Sequence, residues 1–260
     1  MPFVSTPNLR LHYREAGEGE RVIVLLHGSA ATGRVWELLM PLLSAGVRVI
    51  APDLRGCGGS DRPDADYTIA QAAADLRHLM WELDLARFVL VGHDLGAAVA
   101  LEFAVRWPHR VEAMALLGSP PASGHPLPPE AFPLLAATAR DRRQVALQFA
   151  QATPGAARDY FWEQLIDDAV DTAEAVTPYA RSLAGWNVAQ YLDSLRLPVL
   201  FLHGAADPLV PPEQLAPTVA AIPGARLELL AGCGHLPMVE QPSAVARAIG
   251  DLLTALWPGL

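Results

Sequence analysis

Short runs of Val, Leu and Ile recur along the chain with little alternation between apolar and polar positions. Such unbroken apolar runs are typical of strands that are buried on both faces of a parallel sheet. Segments with helical spacing separate several of these runs, at 69–83, 95–107 and 212–222. The alternation of strands and helices predicts an α/β fold. The predicted strands lie at 22–26, 47–51, 87–91, 111–117, 198–202 and 226–230.

The strand-helix rhythm breaks after position 118. A Pro-rich opening, SPPASGHPLPPEAFP, leads into Ala-, Arg- and Asp-rich helical patterns with no strand candidate. We interpret 119–191 as an inserted helical cap, and 1–118 together with 192–260 as the core domain. At the start of the chain, the alternating segment 9–17 ends in Gly, which favours an antiparallel hairpin at the edge of the sheet.

Composition and charge exclude several classes of protein. The hydrophobic set makes up 52% of the 260 residues and charged residues 18%, which is typical of a compact soluble protein. The formal net charge of -9 repels phosphate backbones and anionic lipids, so we expect neither nucleic acid nor membrane as a partner. No signal segment or long apolar run is evident, and we expect a cytoplasmic protein, either a monomer or a homodimer.

Residue usage narrows the chemistry further. All 19 basic residues are arginine, which excludes Schiff-base lysine chemistry and the P-loop lysine. Cys57 and Cys233 form neither a disulfide framework nor a paired metal motif, and no HExxH pattern occurs. We therefore expect no metal site and no cofactor.

One segment has the pattern of a strand, a tight turn and a helix. It reads FVLVGHDLGAAVALEFAVRWP, and the turn is Gly92-His93-Asp94-Leu95-Gly96. A side chain on such a turn projects at the carboxyl end of the sheet, and Asp94 occupies that point. Glycines two positions to either side permit a strained backbone and close approach of the strand and the helix.

In this turn and in four other motifs, the sequence resembles the α/β-hydrolase fold family, and the resemblance covers essentially the whole chain. Each motif is weak alone, but five in the right order are specific. The resemblance implies a mostly parallel sheet flanked by helices, with an inserted helical cap. The motifs are His27-Gly28, Asp53-Leu-Arg-Gly-Cys-Gly-Gly-Ser60, the Asp94 turn, His203-Gly204-Ala-Ala-Asp207-Pro208 and Gly232-Cys-Gly-His235.

The resemblance also implies a catalytic triad, in the family's order along the chain. Asp94 is the nucleophile, Asp207 the acid that orients the base, and His235 the base. The residue at this turn is aspartate instead of serine or cysteine. In this respect the sequence is similar to the epoxide hydrolase branch and to the haloalkane or haloacetate dehalogenase branch of the family. A carboxylate is already ionised at neutral pH and can attack a strained or halide-bearing saturated carbon directly, giving an alkyl ester.

In that scheme His235 activates a water that hydrolyses the ester of Asp94. The backbone N–H groups of Ser29 and Leu95 are expected to hold the oxyanion. The substrate is then a small or mid-sized apolar molecule, and an epoxide converted to a vicinal diol is our leading hypothesis. His203 follows a strand and is interpreted as structural.

The choice between epoxide and halide depends on proton and halide donors. Leu95 directly follows the nucleophile and offers no side-chain donor to a halide, whereas dehalogenase relatives usually have Trp or Arg there. In epoxide hydrolases, tyrosines of the cap donate a proton to the alkoxide that ring opening produces. Tyr179 is the leading candidate for this proton donor. The second proton donor is then Tyr160, another group such as His125, or absent. We also expect His93 and Trp186 to border the substrate.

Two alternatives remain open at this stage. The first is dehalogenation of an alkyl halide or haloacid. The second is a member of the fold that binds a ligand or catalyses a non-hydrolytic biosynthetic reaction.

The sequence departs from the epoxide hydrolase pattern at Ser29-Ala30, which follows His27-Gly28. At these two positions epoxide hydrolases commonly have any residue followed by Pro.

Overall fold

The computed structural model describes residues 2–6 and 9–259. Within these residues the chain forms one sheet of eight strands, with helices on both faces. The strands are β1 (Phe3–Ser5), β2 (Arg10–Ala16), β3 (Val22–Leu26), β4 (Arg48–Pro52), β5 (Phe88–His93), β6 (Val111–Leu117), β7 (Val199–Gly204) and β8 (Arg226–Leu230).

The strand order across the sheet is β1-β2-β4-β3-β5-β6-β7-β8. The six strands β3 to β8 pair with one another in parallel, as the unbroken apolar runs predict. β2 pairs antiparallel with both of its neighbours, β1 and β4. All six predicted strands are present. Three have the predicted bounds, and the ends of β4, β5 and β7 are shifted by one or two residues. The parallel strands all point the same way. The loops that follow β3, β5, β7 and β8 therefore lie together at the carboxyl end of the sheet.

The segment 9–17 forms one strand, β2, of the predicted antiparallel hairpin, and β1 supplies the other strand. The hairpin lies at the edge of the sheet as predicted, with β1 outermost. β2 pairs with β1 on one side, with Phe3 opposite His12, and with β4 on the other side, with Tyr13 opposite Pro52. Its antiparallel direction agrees with the prediction.

Helices cover the sheet and form the insertion between β6 and β7. Four of them, α4 to α7, lie within the predicted cap interval. In the described residues, none of the helices is both long enough and apolar enough to cross a bilayer. The helices are α1 (Met40–Leu43), α2 (Ile69–Glu82), α3 (Leu95–Arg106), α4 (Ala131–Ala139), α5 (Arg142–Ala152), α6 (Tyr160–Asp171), α7 (Ala173–Gly185), α8 (Pro212–Ala221), α9 (Pro237–Glu240) and α10 (Pro242–Leu256).

Alternate side chains of the central strands supply two apolar layers. Val24 and Leu26 of β3 join a layer with α2 and α3, whereas Ile23 and Leu25 join a layer with α10. Every residue of β3 is buried, as are those of β5 and β7. Full burial of such a side chain contributes about 1.5–3 kcal/mol. This rigid sheet fixes the ends of the strands from which the candidate site is built.

Candidate active site

Asp94 lies in the turn between β5 and α3 and has an unusual backbone conformation. Its φ is 47° and its ψ is -116°, which L residues rarely adopt and which costs about 1–3 kcal/mol. The neighbouring glycines are required by space: a Cβ at Gly96 would lie 2.2 Å from the Leu26 carbonyl oxygen, and one at Gly92 would lie 2.5 Å from the Gly96 carbonyl oxygen. The strained turn therefore lifts the Asp94 side chain off the end of β5.

The Asp94 carboxylate is held by a backbone amide from the loop after β3. The Ser29 N–H donates to Asp94 Oδ2 at 2.9 Å. Burial acts to raise the pKa of Asp94, but His235, His93 and the Ser29 and Leu95 amides outweigh burial and lower the pKa below its usual value. The carboxylate is consequently ionised at neutral pH, as an attacking group must be.

Asp207 and His235 form a buried pair on the loops after β7 and β8. His235 Nδ1–H donates to Asp207 Oδ2 at 2.8 Å. The other oxygen of Asp207 accepts from the Leu209 and Val210 amides at 2.9 and 3.1 Å. Both Asp207 oxygens are thus occupied, which fixes the carboxylate and leaves Nε2 of His235 as the nitrogen that can bind a proton from water.

Charges within the pair shift the pKa of each group. Burial favours a lower pKa for His235, but the hydrogen bond and charge of Asp207 dominate and raise it above the usual histidine value. Burial likewise favours a higher pKa for Asp207, and its bonds to His235 and the two amides lower it instead. The imidazole is a stronger base than a free histidine, because the protonated form is stabilised by the carboxylate.

His93 precedes Asp94 and supports the loop that carries His235. Its Nε2–H donates to the His235 carbonyl oxygen at 2.9 Å, which places the proton on that nitrogen because a carbonyl can only accept. Burial, followed by the nearby His235 ring, lowers the pKa of His93 to about 4. His93 is therefore neutral near pH 7.

Two adjoining cavities, of about 250 and 340 Å³, open onto Asp94 and His235. Together they are large enough for a small or mid-sized organic molecule. Most of the lining side chains are aliphatic, which favours an apolar substrate. The residues that line both cavities are Ser29, Asp94, Leu135, Val176, Leu209 and His235.

The polar residues of the cap that reach these cavities are His125 in the smaller one and Gln148 and Asp168 in the larger one. Asp168 accepts from the Thr32 hydroxyl at 2.7 Å and from Arg34 Nε at 2.9 Å. These bonds join helix α6 of the cap to the loop after β3. Sequence reasoning missed Gln148 and Asp168, because one polar residue on a cap helix carries no motif that distinguishes a cavity wall from a solvated face.

The structure does not bring Tyr179 into the cavities with Asp94. Val176, Ala180 and Leu183 face the cavity on α7, which is the i, i+4, i+7 stripe of a helix, and Tyr179 is turned about 100° from Ala180. Its side chain is 2% exposed, and its hydroxyl donates to the Arg55 carbonyl oxygen at 3.4 Å. The expected role of Tyr179 as proton donor is therefore corrected to a packing role.

Of the other three expected substrate contacts, only His93 lines a cavity. Tyr160 is 78% exposed at the start of α6, and so it points into solvent. Trp186 directly follows α7, and its indole N–H donates to Glu102 at 2.9 Å, away from the cavities. The helical phase of the cap, which sequence alone left open, decides these placements.

The match to a family model agrees with this architecture. The model described as alpha/beta hydrolase fold matches residues 21–242, which includes the Asp94 turn, the Asp207 loop and the His235 loop. The chain belongs to the α/β-hydrolase fold family. This α/β hydrolase is accordingly an enzyme of the hydrolase class, and its fold confirms the sequence-based expectation.

Relatives of this α/β hydrolase carry out several kinds of hydrolysis. The chain is 34% identical to a pimeloyl-[acyl-carrier protein] methyl ester esterase of Aromatoleum aromaticum, over 89% of this chain and 97% of that one. It is 28% identical to a 2-hydroxy-6-oxononadienedioate/2-hydroxy-6-oxononatrienedioate hydrolase of Paraburkholderia xenovorans, over 94% and 91%. The crystal structure of an enol-lactonase from Burkholderia xenovorans superimposes with a TM-score of 0.87 and 26% identity, covering 97% of this chain and all of that one.

None of these three relatives is named as an epoxide hydrolase or a dehalogenase. The likeness establishes the family and the hydrolase class of the chain, whereas the Asp-nucleophile branch rests on the residues of the site alone. The same fold hosts many substrates, so the substrate must be argued from the site.

Proposed function

We propose that this chain is a hydrolase in which Asp94 forms a covalent alkyl ester with its substrate. One oxygen of the Asp94 carboxylate attacks a saturated carbon and displaces a leaving oxygen or halide. His235 then removes a proton from water, and the resulting hydroxide attacks the carboxyl carbon of the ester. The leading substrate is an epoxide, which this sequence converts to a vicinal diol.

The hydrogen bond from the Ser29 amide to Asp94 Oδ2, at 2.9 Å, carries this proposal. In an acyl hydrolase this amide position serves the oxygen of the substrate carbonyl. Here a charged oxygen of the enzyme itself occupies it. A substrate whose reacting carbon has no carbonyl oxygen leaves that bond intact, so the arrangement suits attack on a saturated carbon.

The second step uses the same amide. When hydroxide attacks the ester, negative charge develops on a former carboxylate oxygen of Asp94, which already faces the Ser29 N–H. Loss of one such donor costs about 2.7–4 kcal/mol in other hydrolases. Collapse of the intermediate breaks the bond between Asp94 and the alkyl oxygen, which leaves as the alcohol after taking a proton from His235. One Asp94 oxygen then derives from solvent.

The epoxide hypothesis also needs a proton for the alkoxide that ring opening releases. With Tyr179 packed in the core, His125 is the side chain from the cap that lines the cavity and can supply a proton. Loss of a halide would need no proton but would need N–H donors to hold the ion. Leu95 offers only its backbone N–H, and so the site favours the epoxide over the halide, which remains the alternative substrate.

The curated relatives favour a second candidate, hydrolysis of an ester or of a 2-hydroxy-6-oxo-dienoate. In that reaction His235 would activate water directly, because attack of Asp94 on an acyl carbon would give a labile anhydride. Asp94 would then gain no oxygen from solvent in a single cycle.

Isotope labelling under single-turnover conditions separates these reactions. The enzyme is mixed in excess with a panel of styrene oxide, 1-bromobutane and p-nitrophenyl acetate in H₂¹⁸O. We expect ¹⁸O in the peptide containing Asp94 after conversion of the epoxide, and a trapped adduct of epoxide mass when His235→Gln is used. His203→Gln is unsuitable as a control, because His203 is buried against the Asp207 loop, so His109→Gln on the surface serves instead.

Each outcome assigns a reaction. Bromide release with the same label supports the dehalogenase alternative. Turnover of the ester with an unlabelled Asp94 peptide overturns the covalent mechanism in favour of direct acyl hydrolysis. An Asp94→Asn variant with full activity overturns the role of Asp94 and supports the non-hydrolytic alternative.

A further inference from the structure

Glu240 ends helix α9, outside the cavities and five residues after the base. Its carboxylate accepts from backbone amides on both sides of His235: from Gly234 at 3.0 and 3.1 Å, and from Leu236 at 3.2 Å. The Cys233 thiol also points at Glu240 Oε1, at 3.9 Å. One side chain thus gathers the backbone of the loop that carries the base.

The same carboxylate reaches the cap. Glu240 Oε2 accepts from the Gly155 N–H at 2.9 Å, and Gly155 lies in the connection between α5 and α6. Next to this contact, the His235 N–H donates to the carbonyl oxygen of Ala152, the last residue of α5, at 2.7 Å. The loop that carries the base is therefore bonded to the cap by its own backbone and by Glu240.

The sequence is adapted to this close approach at Gly234. A Cβ at this position would lie 2.2 Å from the Ala152 carbonyl oxygen and 2.6 Å from Cδ of Pro154. Any larger residue would separate the cap connection from the base. The contact between them is consequently built into both segments.

We propose that Glu240 is a positioning residue that joins the His235 loop to the cap connection 152–155, so that the catalytic base is aligned by the cap as well as by the core. Glu240 lies outside both cavities and acts through backbone groups. That the aligned group is the base rests on the proposed function, whereas the alignment itself is measurable without any substrate.

A glutamine cannot reproduce these bonds. Its amide has one acceptor oxygen, and its NH₂ group would face one of the backbone N–H donors. Glu240→Gln must therefore release either the cap or the loop. Because the Glu240 charge also contributes to raising the pKa of His235, its removal lowers that pKa.

The test uses the full chain without substrate. Backbone amide exchange of Gly155 and Gly234 and the imidazole titration of His235 are followed by NMR in the wild type, in Glu240→Gln and in Glu228→Gln, an exposed control on β8. We expect Glu240→Gln to exchange Gly155 or Gly234 on the order of tenfold faster, according to which bond is released, as for loss of one charge-assisted hydrogen bond, and to lower the pKa of His235. The control should match the wild type.

Wild-type exchange and titration in a folded Glu240→Gln variant would overturn the proposal. If this variant does not fold, Glu240→Asp keeps the charge but shortens its reach, and unchanged Gly155 exchange in that variant would equally overturn it. Failure of the covalent mechanism gives a different result, since an unlabelled Asp94 would leave the exchange and titration differences in place.

Discussion

Asp207→Asn tests the proposed role of His235 as the base without changing the shape of the site. It removes the charge next to His235 Nδ1, where the two buried side chains are 2.8 Å apart. A hydrogen bond to a charged group contributes about 1.5–3 kcal/mol, or about one to two pKa units of the imidazole. The amide also stabilises the wrong imidazole tautomer, a change that lowers turnover by about 10⁴-fold in a Ser-His-Asp triad. We expect ester hydrolysis to slow by about 10²–10⁴-fold.

Rapid-quench mass spectrometry distinguishes the two steps. Formation of the Asp94 ester should change little, since it needs no base, and the ester should therefore accumulate. Asp251→Asn, on the exposed face of α10, makes the same chemical change far from the site and should leave both steps unaltered. The reasoning is refuted if ester formation slows as much as hydrolysis, or if hydrolysis keeps its wild-type rate.

Four further predictions follow from the site. Asp94→Ser should abolish the epoxide adduct and introduce hydrolysis of p-nitrophenyl acetate, because the oxyanion donors become free for a substrate carbonyl; product analysis checks both. On the proposed mechanism His235 must be neutral to accept a proton from water, so ester hydrolysis should rise with pH through an apparent pKa above the usual histidine value, measured in stopped-flow pH profiles. Tyr179→Phe should keep kcat for the epoxide within about threefold of the wild type, because a long hydrogen bond contributes little. His125→Phe should lower the same kcat, because it removes the proposed proton donor. Gly96→Ala should lower the thermal midpoint or prevent folding, since its Cβ would contact backbone at 2.2 Å.

Histidine and aspartate in the triad also give opposite pH dependences of stability. The pKa of His235 is raised in the folded state, so its contribution is present below the unfolded value and is lost as the pH rises through the folded pKa. The pKa of Asp207 is lowered, so its contribution is present above the unfolded value and is lost as the pH falls through the folded pKa.

The sequence predicted the sheet, and it predicted that Asp94, Asp207 and His235 lie close together, because both depend on local signals. Strands β3 to β8 are apolar runs bounded by turns, and the loops after parallel strands meet at one edge of a sheet. Asp94, Asp207 and His235 each follow such a strand, so topology alone brings them together. The bond from Ser29 to Asp94 follows from the same rule.

The cap was predicted as an interval but not in its details. Which face of a helix meets the cavity depends on packing against the core, and neighbouring residues differ by about 100°. Val176 and Ala180 face the cavity while Tyr179, between them in sequence, faces Arg55. Family resemblance pointed to a tyrosine at this place in the chain, but the phase of the helix gives that position to packing.

With a carboxylate at position 94, the Ser29 amide acts at a different step of the proposed reaction. In the resting enzyme this amide already bonds a charged oxygen, so an ester carbonyl would have to displace a bond worth about 1.5–3 kcal/mol. Attack on a saturated carbon displaces nothing, and on the proposed mechanism the amide is used in the second step, on the enzyme's own ester. One residue can thus move the preferred target from an acyl carbon to a saturated one within an unchanged fold. For that reason 34% identity to an esterase transfers the architecture to this chain but not the substrate.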